Sequence, residues 1–140
     1  MPLQLDHLRR SLEALSALLA VSENQTRMEE LSEVERDGLR SGAIQKFEIT
    51  YELAWKLSAR WLNTNVTAGI ATGVPRKELF RLAAQHGLLA DVDLWMQHHE
   101  ARNATSHLYD EQKAAFVYHS VTHFAHDARR LLAALEARND

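Results

Sequence analysis

The sequence predicts an all-α protein, an antiparallel four-helix up-and-down bundle with one short additional helix. Leu, Ala, Glu and Arg are abundant, and all four residue types favour helix. Apolar residues make up 46% of the 140 residues, and there are only five glycines and two prolines. No segment alternates apolar and polar residues as a half-buried strand does. This length suits one core, so residues 1–140 are expected to form a single domain.

Two helices are predicted in the first half of the chain. Leucines at alternating spacings of three and four predict a helix over about residues 3–21, with Leu5, Leu8, Leu12, Leu15 and Leu19 on its buried face. The charged residues 27–37 predict a helical lead-in, which Gly38 and Gly42 weaken. The strongest helix is expected over about residues 40–64. Its buried face would consist of Ile44, Phe47, Tyr51, Ala54 with Trp55, and Leu62, with the small Ser58 in the same row.

A loop and a short helix are expected next. Residues 64–74 contain two glycines and several threonines, which predict a loop. Pro75 suits the first turn of a helix, and Gly87 suits the position just after its end.

Two further helices are expected to complete the bundle. Asp91 can cap a helix over about residues 91–104, and Asp110 can cap a last helix over about 111–138. The apolar stripe of the last helix consists of Val117, Val121, Phe124, Ala128, Leu131 and Leu135.

Composition excludes several classes of protein. There is no cysteine, so neither a disulfide framework nor a thiolate zinc site is expected. No apolar run approaches the roughly 20 residues of a membrane span, and the N-terminus lacks the pattern of a signal peptide. A soluble, cytoplasmic protein is therefore expected. The net charge of −3 argues against broad binding of nucleic acid, so any RNA would have to be held locally or by a surface made of two subunits.

The segment from Arg102 to Tyr109 carries the residues suited to chemistry. Arg102 can grip a phosphate through a planar fork of donors, and His107 can move a proton near neutral pH. On a continuous helix, however, Arg102 and His107 would project roughly 140° apart at about 100° per residue. Either the helix breaks near residues 104–106, or two copies of the segment cooperate across a twofold dimer interface.

Several separated segments resemble the nucleotidyltransferase substrate-binding proteins, small helical bundles of the HEPN superfamily that include the HepT-type toxins. The first segment runs from Gly42 to Lys56 and reads GAIQKFEITYELAWK. The others, in the family's order, are Pro75-Arg76-Lys77-Glu78-Leu79-Phe80-Arg81, Gly87-Leu88-Leu89, Trp95, and Arg102-Asn103-Ala104-Thr105-Ser106-His107-Leu108-Tyr109-Asp110. Together they cover roughly residues 42–110.

The resemblance implies a homodimeric, metal-independent ribonuclease toxin that needs no cofactor. The family's Arg, polar residue, spacer and His fall on Arg102, Asn103 and His107, and two copies of the motif would meet at a dimer cleft. The substrate would be RNA, for which tRNA is one candidate. The resemblance also implies a cognate minimal nucleotidyltransferase, the antitoxin, which silences the toxin by attaching AMP to Tyr109.

Further residues are candidates for supporting roles. Glu48 and Glu52 lie four apart on the predicted second helix, where pairing of Glu52 with Lys56 is the simple interpretation. The resemblance implies that Glu48 or Glu52 contacts the Arg102 segment, and His98 and His99, one turn before Arg102, are candidates for the same cleft. His119, His123 and His126 form a stripe with Asp127 on the last helix. This stripe is interpreted as a solvated face or a partner contact, with a metal site as the less favoured interpretation.

Two other functions remain open at this level. The chain could be a non-catalytic substrate-binding or accessory subunit of a two-component nucleotidyltransferase, as the family's name suggests. It could also be a purely structural helical dimer.

Overall fold

The structure is a computed structural model that describes residues 2–139, and its helices confirm the all-α bundle. Within these residues there is no strand. The helices are α1 (Asp6–Ser22), α2 (Gln25–Glu30), α3 (Glu33–Asn65), α4 (Arg76–Gln85), α5 (Val92–Ala104) and α6 (Glu111–Ala137). A single 3₁₀ turn, Thr105–His107, separates α5 from α6. None of the described helices combines the length and the apolar character that crossing a bilayer would require.

Pairs of contacting residues show how α1 runs relative to its neighbours α3 and α6. Ser11 on α1 shares a hydrogen bond with Thr50 on α3, whereas Leu18, further along α1, approaches Gly42, nearer the start of α3. The two helices are therefore antiparallel. On the other side, Arg129 of α6 donates to Ser16 of α1, and the amide of Leu3 donates to Asn139 beyond the end of α6, so α1 and α6 are antiparallel as well.

The predicted apolar faces form one core. The five leucines predicted for the buried face of the first helix and the predicted apolar stripe of α6 are all buried, as are Ile44, Phe47, Tyr51, Ala54 and Leu62 of α3. Trp55 is only partly buried, because it lies at the edge of the α3 face. Ser58 is buried and its hydroxyl donates to the carbonyl oxygen of Ala54, which satisfies it within the helix.

The charged segment 27–37 differs from the prediction. It is divided between a separate short helix, α2, and the first turns of α3, and Gly38 and Gly42 lie inside α3 without interrupting it. The division falls at Ser32, whose hydroxyl accepts from the amide of Glu35 while the Glu35 carboxylate accepts from the amide of Ser32. This capping box provides α3 with a defined start and adds one short helix to the predicted number.

The predicted helix boundaries around α4, α5 and α6 are confirmed. Gly87 has φ +79°, a left-handed conformation that ends α4 and favours glycine. Asp91 accepts from the amide of Leu94 at the start of α5. Asp110 accepts from the amides at positions 112 and 113 at the start of α6. These caps fix the start of α5, whose last turn carries Arg102, and the start of α6, which follows Tyr109.

Candidate functional site

The α-helix that carries Arg102 ends at Ala104, so the first of the two predicted arrangements is present. Residues Thr105–His107 continue as a 3₁₀ turn. The hydroxyl of Thr105 donates to the carbonyl oxygen of Arg102 at 2.6 Å, and Arg102 Nη1 donates to the same hydroxyl at 3.1 Å. Thr105 therefore ties the end of the helix to the guanidinium. Thr105 was not predicted to lie at the site, although its i, i+3 spacing from Arg102 is a signal present in the sequence.

Two carboxylates of α3 face the guanidinium of Arg102. Arg102 Nη1 lies 3.5 Å from Glu48 Oε2, and Nε lies 3.7 Å from Glu52 Oε1. Both distances exceed the roughly 2.7–2.9 Å typical of a charge-assisted hydrogen bond. Glu52 also accepts from the indole of Trp55 and pairs with Lys56. Arg102 is therefore held by electrostatic attraction to the two carboxylates and makes no tight bidentate hydrogen bond with either of them.

His107 and Tyr109 lie together on the solvent side of the 3₁₀ turn. His107 Nδ1 is 3.2 Å from Tyr109 Oη, and the two rings are nearly perpendicular with centroids 5.8 Å apart. Tyr109 is 84% exposed. Within residues 2–139, no hydrogen bond joins His107 to Arg102 or Asn103. The turn brings the three motif residues to one end of α5 but does not bring them into contact.

His99 belongs to the side of α5 that faces α3. Its Nδ1 lies 2.7 Å from the hydroxyl of Tyr51, and its Nε2 lies 3.5 Å from Nδ2 of Asn103. Arg76, at the start of α4, donates to the same tyrosine hydroxyl at 2.9 Å and stacks on the indole of Trp55. Neither Tyr51 nor Arg76 was predicted to lie at the site, because their contacts depend on how three helices pack.

His98 lies in the core, and its side chain reaches α6. It is buried, and its Nε2 is 2.6 Å from Oδ2 of Asp127. Its ring also packs edge-on against Trp95 and Phe124. Burial lowers the pKa of His98 below its ordinary value of 6.5, and the hydrogen bond and charge of Asp127 oppose this only in part. His98 therefore joins α5 to α6 as a neutral hydrogen-bonded residue.

This lowered pKa predicts that acid destabilises the fold. The folded-state pKa lies below the unfolded-state value, so neutral His98 contributes its full stability above about pH 6.5 and loses it as the pH falls through the folded-state pKa. We expect the free energy of unfolding to decrease between about pH 7.5 and about pH 5, and to decrease less in His98→Gln. Urea unfolding of both proteins across this range measures the difference. Equal pH dependence of the two proteins would contradict the assignment.

The histidine stripe of α6 is exposed. His119, His123 and His126 lie on the outer side of the helix, and the rings of His119 and His123 are 4.8 Å apart. Asp127, predicted to lie beside them, turns instead to His98. In the part of the chain that the structure describes, no three His, Cys, Asp or Glu side chains come together as metal ligands do.

Comparison with known proteins confirms the resemblance. A family model described as nucleotidyltransferase substrate binding protein like matches residues 3–137. A protein of Haemophilus influenzae named probable ribonuclease HepT is 38% identical over 105 residues, which are 74% of this chain and 72% of that protein.

Two solved structures share the fold. A Haemophilus influenzae structure, described as the fold of a substrate binding domain of a nucleotidyltransferase, matches with a TM-score of 0.89 at 30% identity and covers 95% of this chain and 99% of its own. A crystal structure from Thermus thermophilus matches with a TM-score of 0.67 at 27% identity, over 89% of this chain and 98% of its own. Because the family model extends over residues 3–137, this chain belongs to the family of nucleotidyltransferase substrate-binding-like proteins.

Proposed function

We propose that residues 1–140 form one HEPN-like domain that acts as a homodimeric, metal-independent RNA-cleaving toxin, controlled by a partner nucleotidyltransferase. The name of the Haemophilus relative, probable ribonuclease HepT, supports this activity, and the family's description supports the partner. The observation that carries the proposal is the position of His107. Its exposed imidazole lies on the turn that directly follows the helix carrying Arg102.

In this proposal the ribose 2′-oxygen attacks the adjacent phosphorus, and the bond from phosphorus to the 5′-oxygen breaks. The imidazole of His107 accepts the 2′-hydroxyl proton, and the imidazolium so formed gives a proton to the departing 5′-oxygen. Arg102 binds the phosphate and stabilises its developing charge, while Asn103 orients the phosphate or His107. General acid–base catalysis of this kind contributes about 10²–10⁴-fold.

The spacing between Arg102 and its carboxylates leaves it able to bind phosphate. A guanidinium has five N–H donors, and Arg102 donates one clear hydrogen bond, to Thr105. Glu48 and Glu52, at 3.5 and 3.7 Å, orient the side chain without occupying its fork. The supporting role proposed for both glutamates is therefore to hold Arg102 in the cleft between α3 and α5.

A dimer is proposed because one copy leaves the two catalytic side chains apart. Arg102 turns toward the carboxylates of α3, whereas His107 turns toward solvent beside Tyr109. A twofold axis near the 3₁₀ turn would place the Arg102 and His107 of two copies around a single phosphodiester.

Growth of cells that express the chain alone tests this function. We expect the wild-type chain to arrest growth, because RNA cleavage would be unopposed, and co-expression of the cognate nucleotidyltransferase to relieve the arrest. Arg102→Ala and His107→Ala should both permit growth, whereas His119→Ala, which removes another exposed histidine, should not. Equal growth of cells that express the wild-type chain and of cells that express either motif variant would contradict the proposed toxin activity.

Tyr109 is the proposed site of control by AMP transfer. Its hydroxyl is exposed to a partner enzyme, and its oxygen would attack the α-phosphorus of ATP, with release of pyrophosphate and of the phenolic proton. The product places a phosphate next to His107, where its negative charge and bulk would exclude RNA.

We expect mass spectrometry to find AMP on the Tyr109 peptide after co-expression with the nucleotidyltransferase. Tyr109→Phe should abolish the modification and leave the toxin active in the presence of the partner. The matched control is Tyr118→Phe, which replaces a tyrosine of α6 that is only 37% exposed. This variant should still carry AMP on Tyr109. An unmodified Tyr109 in the wild-type protein co-expressed with the nucleotidyltransferase would contradict regulation by AMP transfer.

A second candidate function is an accessory subunit that binds substrate for the nucleotidyltransferase. The presence of two carboxylates around Arg102 favours it, because they neutralise the cation in the isolated chain. The growth experiment separates the two functions, since an accessory subunit would not arrest growth when expressed alone.

A further inference from the structure

Four side chains form a continuous series of polar contacts from α4 through α3 to the end of α5. Arg76 Nη1 donates to Tyr51 Oη at 2.9 Å, Tyr51 Oη lies 2.7 Å from His99 Nδ1, and His99 Nε2 lies 3.5 Å from Nδ2 of Asn103. The Arg76 guanidinium is held in place by the Trp55 ring, with its central carbon 3.7 Å from the ring centroid. Asn103 is one of the residues proposed for catalysis, and the other three side chains connect it to α3 and α4.

The positions of the protons in this series can be assigned. Arg76 can only donate, so it uses one lone pair of the Tyr51 oxygen. Tyr51 is fully buried, and among the described residues His99 Nδ1 is the acceptor within reach of its hydroxyl proton. Burial raises the pKa of Tyr51 to about 12, so the phenol keeps this proton. His99 Nδ1 therefore accepts.

The same contacts assign the tautomer of His99. Burial, together with the charge of Arg76, lowers the pKa of His99, so the ring is neutral near pH 7. A neutral imidazole that accepts at Nδ1 carries its hydrogen at Nε2. The opposite tautomer would donate to Tyr51 and leave the buried hydroxyl proton without an acceptor.

This tautomer determines which way the Asn103 amide faces. His99 Nε2–H is a donor, and the Asn103 atom opposite it must be an acceptor. A half-turn of the carboxamide exchanges its oxygen and nitrogen with almost no change in shape, which brings Oδ1 to His99 and turns the NH₂ group outward. We propose that Tyr51 and His99 are positioning residues that hold the Asn103 amide with its NH₂ group directed at the substrate phosphate.

The orientation matters because a phosphodiester is anionic. The outward NH₂ group would offer two donors to the phosphate, whereas an outward carbonyl oxygen would present lone pairs to it and repel it. The role of Asn103 as a phosphate donor rests on the proposed function, but the His99 tautomer does not.

Nitrogen NMR of the histidine rings in the full chain tests the tautomer directly. We expect His99 of the wild-type protein to be protonated at Nε2, and Tyr51→Phe to give a mixture of the two tautomers because the donor to Nδ1 is lost. Thr50→Val is the matched control, since it removes a buried hydroxyl from the neighbouring position and does not contact this series. Protonation of wild-type His99 at Nδ1 would overturn the proposal, whether or not Tyr51→Phe folds.

RNA cleavage provides a second readout. We expect Tyr51→Phe to reduce the single-turnover rate about 10–100-fold, as loss of an orienting partner does at other sites. In the Asn103→Ala background the same substitution should cause no further loss, because it acts through Asn103. An equal loss in both backgrounds would overturn the positioning role. If the wild-type protein cleaved no RNA, the proposed function would be wrong. The tautomer of His99 would still determine the orientation of the Asn103 amide.

Discussion

His107→Ala is expected to cleave RNA about 10²–10⁴ times more slowly than the wild-type protein, because it removes the group assigned to proton transfer. Arg102→Ala should lose about 10²–10³-fold, the usual cost of removing one fixed donor at a developing negative charge. Single-turnover cleavage in the presence of a metal chelator measures both effects. The chelator should leave the wild-type rate unchanged, since the proposed mechanism uses no metal.

Matched variants separate these effects from general damage. His119→Ala removes an exposed histidine from α6 and should cleave at the wild-type rate. Arg102→Lys keeps the positive charge but loses the planar fork, so we expect it to fall between the wild type and Arg102→Ala. A His107→Ala protein as fast as His119→Ala would contradict the assignment of His107.

Mixed dimers test whether the site is shared between two copies. If each phosphodiester is cleaved by the Arg102 and His107 of both subunits, a dimer of one Arg102→Ala and one His107→Ala subunit still contains one intact residue of each kind. We expect mixing the two inactive variants to restore part of the activity. Complete inactivity of the mixture, with dimers verified by light scattering, would contradict a shared site.

The sequence predicts the helices well because their signals are local. The leucine spacing of α1, the stripe around Phe124 and the caps Asp91 and Asp110 each depend on neighbours within a few turns. The start of α3 also had a local signal, since Ser32 and Glu35 have the spacing of a capping box. That spacing indicates why the charged segment divides at this point.

The candidate site is only partly predictable for a different physical reason. Contacts such as Tyr51 with His99 and Arg76 join three helices, and they depend on how each helix is rotated about its axis in the bundle. A residue's spacing along the chain does not determine this rotation. His98 and His99 illustrate the point, because adjacent positions on one helix face α6 and α3 respectively and have unrelated surroundings.

Phe124→Ala is expected to reduce the free energy of unfolding by about 3–5 kcal/mol, a large fraction of the total of about 5–15 kcal/mol that is typical of a domain. The ring is fully buried and lies edge-on to Phe47 of α3 and to Trp95 and His98 of α5, with centroids 4.9, 5.8 and 5.3 Å away. Its removal would leave a cavity where α3, α5 and α6 meet. Urea unfolding of the wild type and the variant measures the loss.

Phe116→Ala is the control for this effect. Phe116 lies about two turns earlier on the same helix and is 37% exposed, so its loss should cost much less than that of Phe124. Equal destabilisation by the two substitutions would mean that the junction of the three helices does not depend on Phe124. This junction holds α5, which carries Arg102, against α3, which carries Glu48 and Glu52. Phe124→Ala should therefore slow RNA cleavage even where the protein remains folded.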